Sequence, residues 1–201
     1  MRSLATLLSW MAAVLLATPA ASAELSDAQL AHIDVAGFSL KTRLRPDGRP
    51  PEGLRGSSTA PHGPTRRGRT LRLSDSPTTL SFACPERGGR VYRITHSPDV
   101  SGVSAQLVLR RIVEKYGEPD VEQKGDRELY WYWTDQEPLP KGDDFRYDFH
   151  GLMMSAIVLE SGLMQSLKLE LHSVEGQRAV DQCEVDRLRS IHDEKASNLR
   201  F

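Results

Sequence analysis

Two short runs hold the ionisable residues that chemistry would need. In FRYDFH, residues 145–150, aromatic residues alternate with Arg146, Asp148 and His150. In SLKLELH, residues 166–172, alternation places Lys168, Glu170 and His172 together. Successive residues of a strand point to opposite faces, so each trio shares one face of its strand. If the two faces lie on one side of a sheet, Asp148, His150, Glu170 and His172 share a surface. Two imidazoles and two carboxylates can ligate a metal ion or relay a proton. The competing reading is a solvated sheet face laced with cross-strand ion pairs. The spacings match no zinc motif, and GDDFRYDFHG lacks the ligand spacing of a calcium loop. The chain also has no G-x-S-x-G, no H-E-x-x-H, no phosphate-binding glycine loop and no Cys–His signature. The sequence therefore names no catalytic residue, no metal and no cofactor, and leans away from an enzyme.

A second candidate is the tetrad Tyr130, Trp131, Tyr132, Trp133. Strand alternation splits it into Tyr130 and Tyr132 on one face, Trp131 and Trp133 on the other. One pair is expected in the core. The other is either a stacking platform for a sugar, peptide or protein partner, or is covered by residues 24–40 or by the 135–144 loop. Tyr130, Trp131, Tyr132, Trp133, Arg146 and His150 together are the expected binding surface.

The first residues, MRSLATLLSWMAAVLLATPAASAEL, combine a basic start, a short apolar run, Pro19 and the small residues Ala21, Ser22 and Ala23. This is the pattern of a secretory signal peptide cleaved near Ala23, and it implies a periplasmic or secreted protein. No later stretch is long and apolar enough for a transmembrane helix. The pair Cys84 and Cys183 is then most simply a disulfide. The formal net charge is −1, but residues 41–72 concentrate Lys41, Arg43, Arg45, Arg49, Arg55, Arg66, Arg67, Arg69 and Arg72 against Asp47 and Glu52. Arg43, Arg45, Arg66, Arg67 and Arg69 are the candidate polyanion contacts. The segment holds no aromatic residue, so base stacking and nucleic-acid binding are not expected. A solvated basic linker is the alternative.

These residues need a scaffold. Residues 24–40 read as a short helix capped by Ser26 or Asp27, then an extended apolar piece. Residues 41–77, rich in Pro, Gly and Arg, read as a flexible linker or long loop. From 78 to 201 the pattern is that of a domain. TTLSFAC and RVYRITH alternate around PERGG and predict a hairpin. Ala105, Val108, Leu109, Ile112, Val113 and Tyr116 form one helical stripe, ended by Gly117 and Pro119. LMMSAIVLE and LMQSLKLEL flank Ser161-Gly162. A two-residue turn there makes opposed residue numbers sum to 323, setting Leu152 against Leu171 and Met154 against Leu169. Val180, Cys183, Leu188 and Ile191 lie near one stripe of a last helix. The order β-β-α-β-β-β-β-α predicts an α+β fold, an antiparallel sheet of five to six strands with helices on one face.

The run VSAQLVLRRIVEKYGEPDVEQKGDRELYWYW is similar to the small outer-membrane-assembly lipoproteins and the related β-lactamase-inhibitor-like modules. With DVAGFSL, residues 34–40, it also resembles a number of uncharacterised exported proteobacterial proteins. The resemblance implies a helical layer on a short antiparallel sheet and a module that acts by binding other proteins. This chain has no acylated Cys after its apolar run, so lipid tethering is not implied. The expectation is thus an exported, non-enzymatic binding module with an envelope protein as a possible partner. A hydrolase or metal-dependent enzyme on the polar sheet face and polyanion binding by residues 41–72 are the alternatives.

Overall fold

The computed structural model describes residues 27–45, 49–59, 69–84, 88–134 and 150–197. It has the elements α1 (Asp27–Leu30), β1 (Gly56–Thr59), β2 (Arg69–Leu73), β3 (Thr78–Phe82), β4 (Val91–His96), α2 (Ala105–Tyr116), β5 (Val121–Lys124), β6 (Glu128–Trp133), β7 (Gly151–Val158), β8 (Met164–His172) and α3 (Val174–Ser197). The class is α+β, with one antiparallel sheet in the order β1-β2-β3-β4-β8-β7-β6-β5. Two meanders, β1 to β4 and β5 to β8, join along β4 and β8, where Arg93 pairs His172, Ile94 pairs Leu171 and His96 pairs Leu169.

The eight strands exceed the expected five to six. Two of the additions fall inside residues 41–77, expected as a linker. Averaged over that segment, Gly, Pro and Arg hide RTLRL, whose Leu71 and Leu73 are buried. Those two leucines give β2 an inward face, which offsets the entropy of ordering it. The third addition is β5, VEQK, whose polar residues suit an edge. Glu122 and Lys124 are exposed there and discourage pairing with a further strand. Residues 1–23, expected as a signal peptide, and the FRYDFH run lie outside the described residues, apart from His150.

The β7–β8 hairpin shows how local chemistry sets register. Leu152–Leu171, Met154–Leu169 and Ala156–Leu167 pair as expected. The turn, however, is wider than two residues. Leu159 N–H donates to Leu163 O and Gly162 N–H donates to Leu159 O, with Gly162 at φ 76°. That shifts the pairing by one residue, to Val158–Met164, and a bulge beside Ile157 and Val158 shifts it back. A bulge adds one residue to one strand. The apolar face of the hairpin therefore keeps its phase despite the different turn.

α2 connects the centre of the sheet to its far edge and lies over the apolar face. Its start is capped by the hairpin rather than by its own Ser104 side chain: Ala105 N–H donates to Gly162 O at 2.9 Å. This satisfies one of the orphan donors of a helix N-terminus. At its end Gly117, at φ 84°, returns its N–H to Val113 O and accepts from Trp133 Nε1 at 3.1 Å. Beside α2 the N-terminal segment makes a two-residue turn. Val35 and Phe38 exchange hydrogen bonds, and Ala36 and Gly37 both have positive φ, 55° and 87°. Leu30, Val35, Leu40 and Leu44 of this segment are buried in the same cluster as Leu80, Ile94, Leu152, Trp131 and Trp133. The apolar face thus has a roof in two parts, α2 and residues 27–44.

α3 starts beside Tyr92 of β4. Ser173 N–H donates to Tyr92 O, and Val174 N–H donates to His150 Nδ1. Gly176 passes so close that an added Cβ would overlap the Tyr92 Cβ. Cys183 on α3 is disulfide-bonded to Cys84, just past β3, with Cα atoms 6.7 Å apart. Val180 and Glu184 are the buried α3 residues, whereas Leu188, expected on the inner stripe, is half-exposed.

Two measurements follow from α3. The disulfide closes a sequence separation of 99 residues. The Cys84→Ala/Cys183→Ala variant should lose about 2–4 kcal/mol in urea unfolding, whereas an unchanged midpoint would show that the bond constrains nothing. Gly176→Val should cost roughly 1–3 kcal/mol by overpacking against Tyr92. The pair Gly176→Val/Tyr92→Ala should lose less than the sum of the single changes if that contact is the cause.

Candidate functional site

The aromatic tetrad is mostly interior. Trp131 and Trp133 face the roofed side of the sheet, 8% and 7% exposed, with ring centroids 6.0 Å apart. Trp133 also meets Tyr116 of α2, at 6.0 Å between rings. On the other face Tyr132 is 2% exposed, and Tyr130 is half-buried with its hydroxyl donating to Glu128 at 2.9 Å. Burial, and then Tyr130 beside it, pushes the Tyr132 phenol up from its ordinary value. Trp131, Tyr132 and Trp133 are therefore not available as a stacking platform. The reason is topological: β6 lies between β5 and β7, and α2 crosses over its tryptophans.

The polar face brings Glu170 and His172 together, but with structural partners. Glu170 is ion-paired to Lys168 on its own strand and to Arg93 Nε of β4 at 3.5 Å. The buried Glu170 carboxylate is thus held between two cations as part of the sheet's own packing. His172 is fully buried with its ring 6.3 Å from that of Tyr92. His150 accepts from the first N–H of α3. Arg146 and Asp148 lie outside the described residues. Among the described residues no group of three or more His, Cys, Asp or Glu is placed to hold a metal ion. Of the basic set, Arg43 is exposed, with its backbone bridged to Arg90. Arg45 pairs with Glu52 at 3.4 Å. Arg66 and Arg67 lie outside the described residues, and Arg69 is described only as the first residue of β2. No helix of the described residues is long and apolar enough to cross a membrane.

A groove that none of these candidates includes opens between the two parts of the roof. It holds about 460 Å³. Leu167 and Leu169 of β8 form its floor, with His96 of β4 beside them. Val103, Leu107, Val108 and Ile112 form one wall, and Ala36 and Pro98 lie opposite. Val103 and Leu107 are 38% and 48% exposed, so this wall presents two apolar side chains to solvent. Arg111, Lys115 and Tyr116 close one end.

Cross-strand pairing explains why His96 lies here. Trp131, Met154, Leu169, His96 and Thr78 form one row across adjacent strands on the apolar face. His96 is where this row turns polar. Its Nδ1 is 2.9 Å from Thr78 Oγ1, which is 2.6 Å from Ser76 Oγ. The fully buried Thr78 hydroxyl is thereby satisfied and the imidazole is held in one orientation. Burial first, and the Lys115 ammonium second, hold the His96 imidazole below its ordinary value. Lys115 itself bonds Asp34 at 3.2 Å and lies 5.0 Å from the Tyr116 ring. Burial pulls Lys115 down, but Tyr116 and Asp34 outweigh it and keep it charged. Tyr116 donates to Asp34 O at 3.0 Å, tying the two roof parts together beside the groove. Arg111 pairs with exposed Glu114 at 3.0 Å, a surface contact of small strength.

Comparison with known protein families, curated proteins and solved structures found no match. The groove is read from its own chemistry. His96 carried a signal in the sequence, since it follows Ile94 on the inward side of RVYRITH. Leu107, Arg111 and Lys115, at i, i+4 and i+8, flank the apolar stripe of α2 and mark its outer edge.

The depressed His96 value has a definite sign. The folded protein takes up the proton later than the unfolded chain does on acidification. Stability is therefore greatest above the ordinary imidazole value of 6.5 and falls as pH drops toward the lowered one. The charged groups that line the groove with the ring are Lys115, with Asp34 on it, and Arg111. Between pH 8 and pH 5 the wild type should lose more stability than His96→Gln; parallel pH profiles would remove His96 from the acid response.

Proposed function

We propose that this chain is an exported, non-enzymatic binding module and that it binds through the groove beside α2, not through the aromatic strand. The observation that carries the reading is the groove itself, an apolar hollow of about 460 Å³ with basic residues at one end. Ligand sites commonly occupy ~300–1,000 Å³ and are mostly apolar with a few placed polar groups. The side chains that would drive binding are Val103, Leu107, Val108, Leu167 and Leu169, and those that would orient a ligand are His96, Arg111 and Lys115. The wall is part of the run that resembles the outer-membrane-assembly modules, and that likeness supports binding in preference to catalysis. The secretory pattern before Ala23 supports export, with N-terminal sequencing of periplasmic protein as its check.

Binding of an environment-sensitive anionic dye such as anilinonaphthalene sulfonate tests the groove. Wild type should enhance dye fluorescence, and Leu107→Asp, a change at a half-exposed position, should abolish most of the enhancement while leaving the melting temperature within a few degrees. Undiminished fluorescence in Leu107→Asp would count against the groove as the binding surface.

A further inference from the structure

We propose that the groove takes a long-chain fatty acid, with the acyl chain over Leu167 and Leu169 and the carboxylate at Arg111 and Lys115. The proposal deepens the binding-module reading and rests on it.

The lining is asymmetric along α2. The wall at Val103, Leu107 and Val108 is apolar, and one helical turn further Arg111 and then Lys115 add two cations, each with one exposed or half-exposed carboxylate on it, Glu114 and Asp34. A single-chain carboxylate has the same division, apolar along its length and anionic at one end. Arg111 can offer a carboxylate two parallel N–H donors. Its present partner Glu114 is itself half-exposed, so exchanging it for a ligand carboxylate costs little. The neutral His96 imidazole, fixed through Nδ1 to Thr78, adds a polar contact without adding a buried charge.

The backbone separates an acyl chain from a peptide. Leu169 lies in a ladder paired on both sides, to Met154 and His96, and Leu167 pairs with Ala156. The helical wall keeps its amides within α2. At the groove mouth Val103 N–H donates to Val100 O and Val103 O accepts from Met164 N–H. A peptide laid here would bring one donor and one acceptor per residue, and the backbone of Leu169, Val103 and the α2 wall already has its partners. Burying those groups unpaired is costly, whereas an acyl chain has none to bury. The same argument disfavours an extended partner segment added to the sheet, because β4 and β8 are interior strands.

Full-length mature protein is titrated with sodium palmitate below its micelle concentration, followed by calorimetry. Hexadecanol, with the same chain and no charge, and an apolar hexapeptide with a free C-terminal carboxylate serve as contrasts. Palmitate should bind most tightly. Arg111→Gln/Lys115→Gln should weaken it about tenfold or more, the scale of losing hydrogen bonds to a charged group. Leu107→Asp should abolish it. Palmitate binding that is unchanged in Arg111→Gln/Lys115→Gln, or equalled by hexadecanol, would overturn the head-group assignment. Binding of the peptide but not palmitate, lost in Leu107→Asp, would overturn the fatty-acid proposal and leave the groove as the binding surface. No binding of palmitate, peptide or dye would overturn both.

Discussion

The pairing of β4 with β8 is the constraint on which the architecture depends. It joins two consecutive meanders back to back, so the strand that follows β4 in sequence, β5, ends up at the opposite edge of the sheet. The connection has no route except across the sheet, and it crosses the face that carries Leu152, Met154, Leu167 and Leu169. A segment crossing an apolar face must satisfy its own backbone and present apolar side chains downward, which an amphipathic helix does. α2 is that helix. Its two ends are fixed by the strands it crosses, through Gly162 O at the start and Trp133 Nε1 at the end.

Twelve residues of helix do not cover an eight-stranded sheet. The remaining apolar face, around Leu80, Phe82 and Ile94, is closed by residues 27–44. Two roof pieces of different origin leave a seam, and the groove is that seam. Asp34, Lys115 and Tyr116 clasp it at one end. At the other the half-exposed Leu107 and Val103 remain beside the floor. The groove is thus a consequence of topology before it is a question of ligand, and its basic end comes from the C-terminal half of α2. Lys115 near the last turn also complements the helix dipole.

Much of this was legible in the chain because local rules agreed. The α2 stripe, the glycine stop at Gly117, the apolar pairing of β7 with β8 and the Cys84–Cys183 bond each followed from periodicity, turn chemistry or cysteine arithmetic. The β7–β8 turn is instructive. Ser161-Gly162 read as a two-residue loop gave the correct pairing through an incorrect turn, because the bulge cancels the shift. What a burial pattern enforces is the phase of the apolar face, and more than one backbone route preserves it. β2 and β5 were hidden for a different reason. Each is a short strand held by its neighbours, and the composition of its surroundings says more about loops than about the few residues that pair.

The site was harder to read because strand order is not local. Tyr130 to Trp133 would be an exposed platform on an edge strand and is interior on β6; the tetrad itself is the same in both cases. The polar trio on β8 would be reactive if unpaired, yet Arg93 arrives from β4 through a pairing that no motif announces. Conversely His96 belongs to no motif, and its meaning comes from its place in the row that ends at Thr78. Three apolar or aromatic positions, Trp131, Met154 and Leu169, lie side by side across the sheet. The last in the row, Thr78, is a buried hydroxyl that needs a partner, and the imidazole between Leu169 and Thr78 is amphiphilic enough to serve both sides. A histidine kept neutral by burial and by a neighbouring ammonium can do this without carrying charge into the core. That same balance leaves the floor of the groove polar at one point, His96, between the apolar Leu169 and the buried Thr78 hydroxyl.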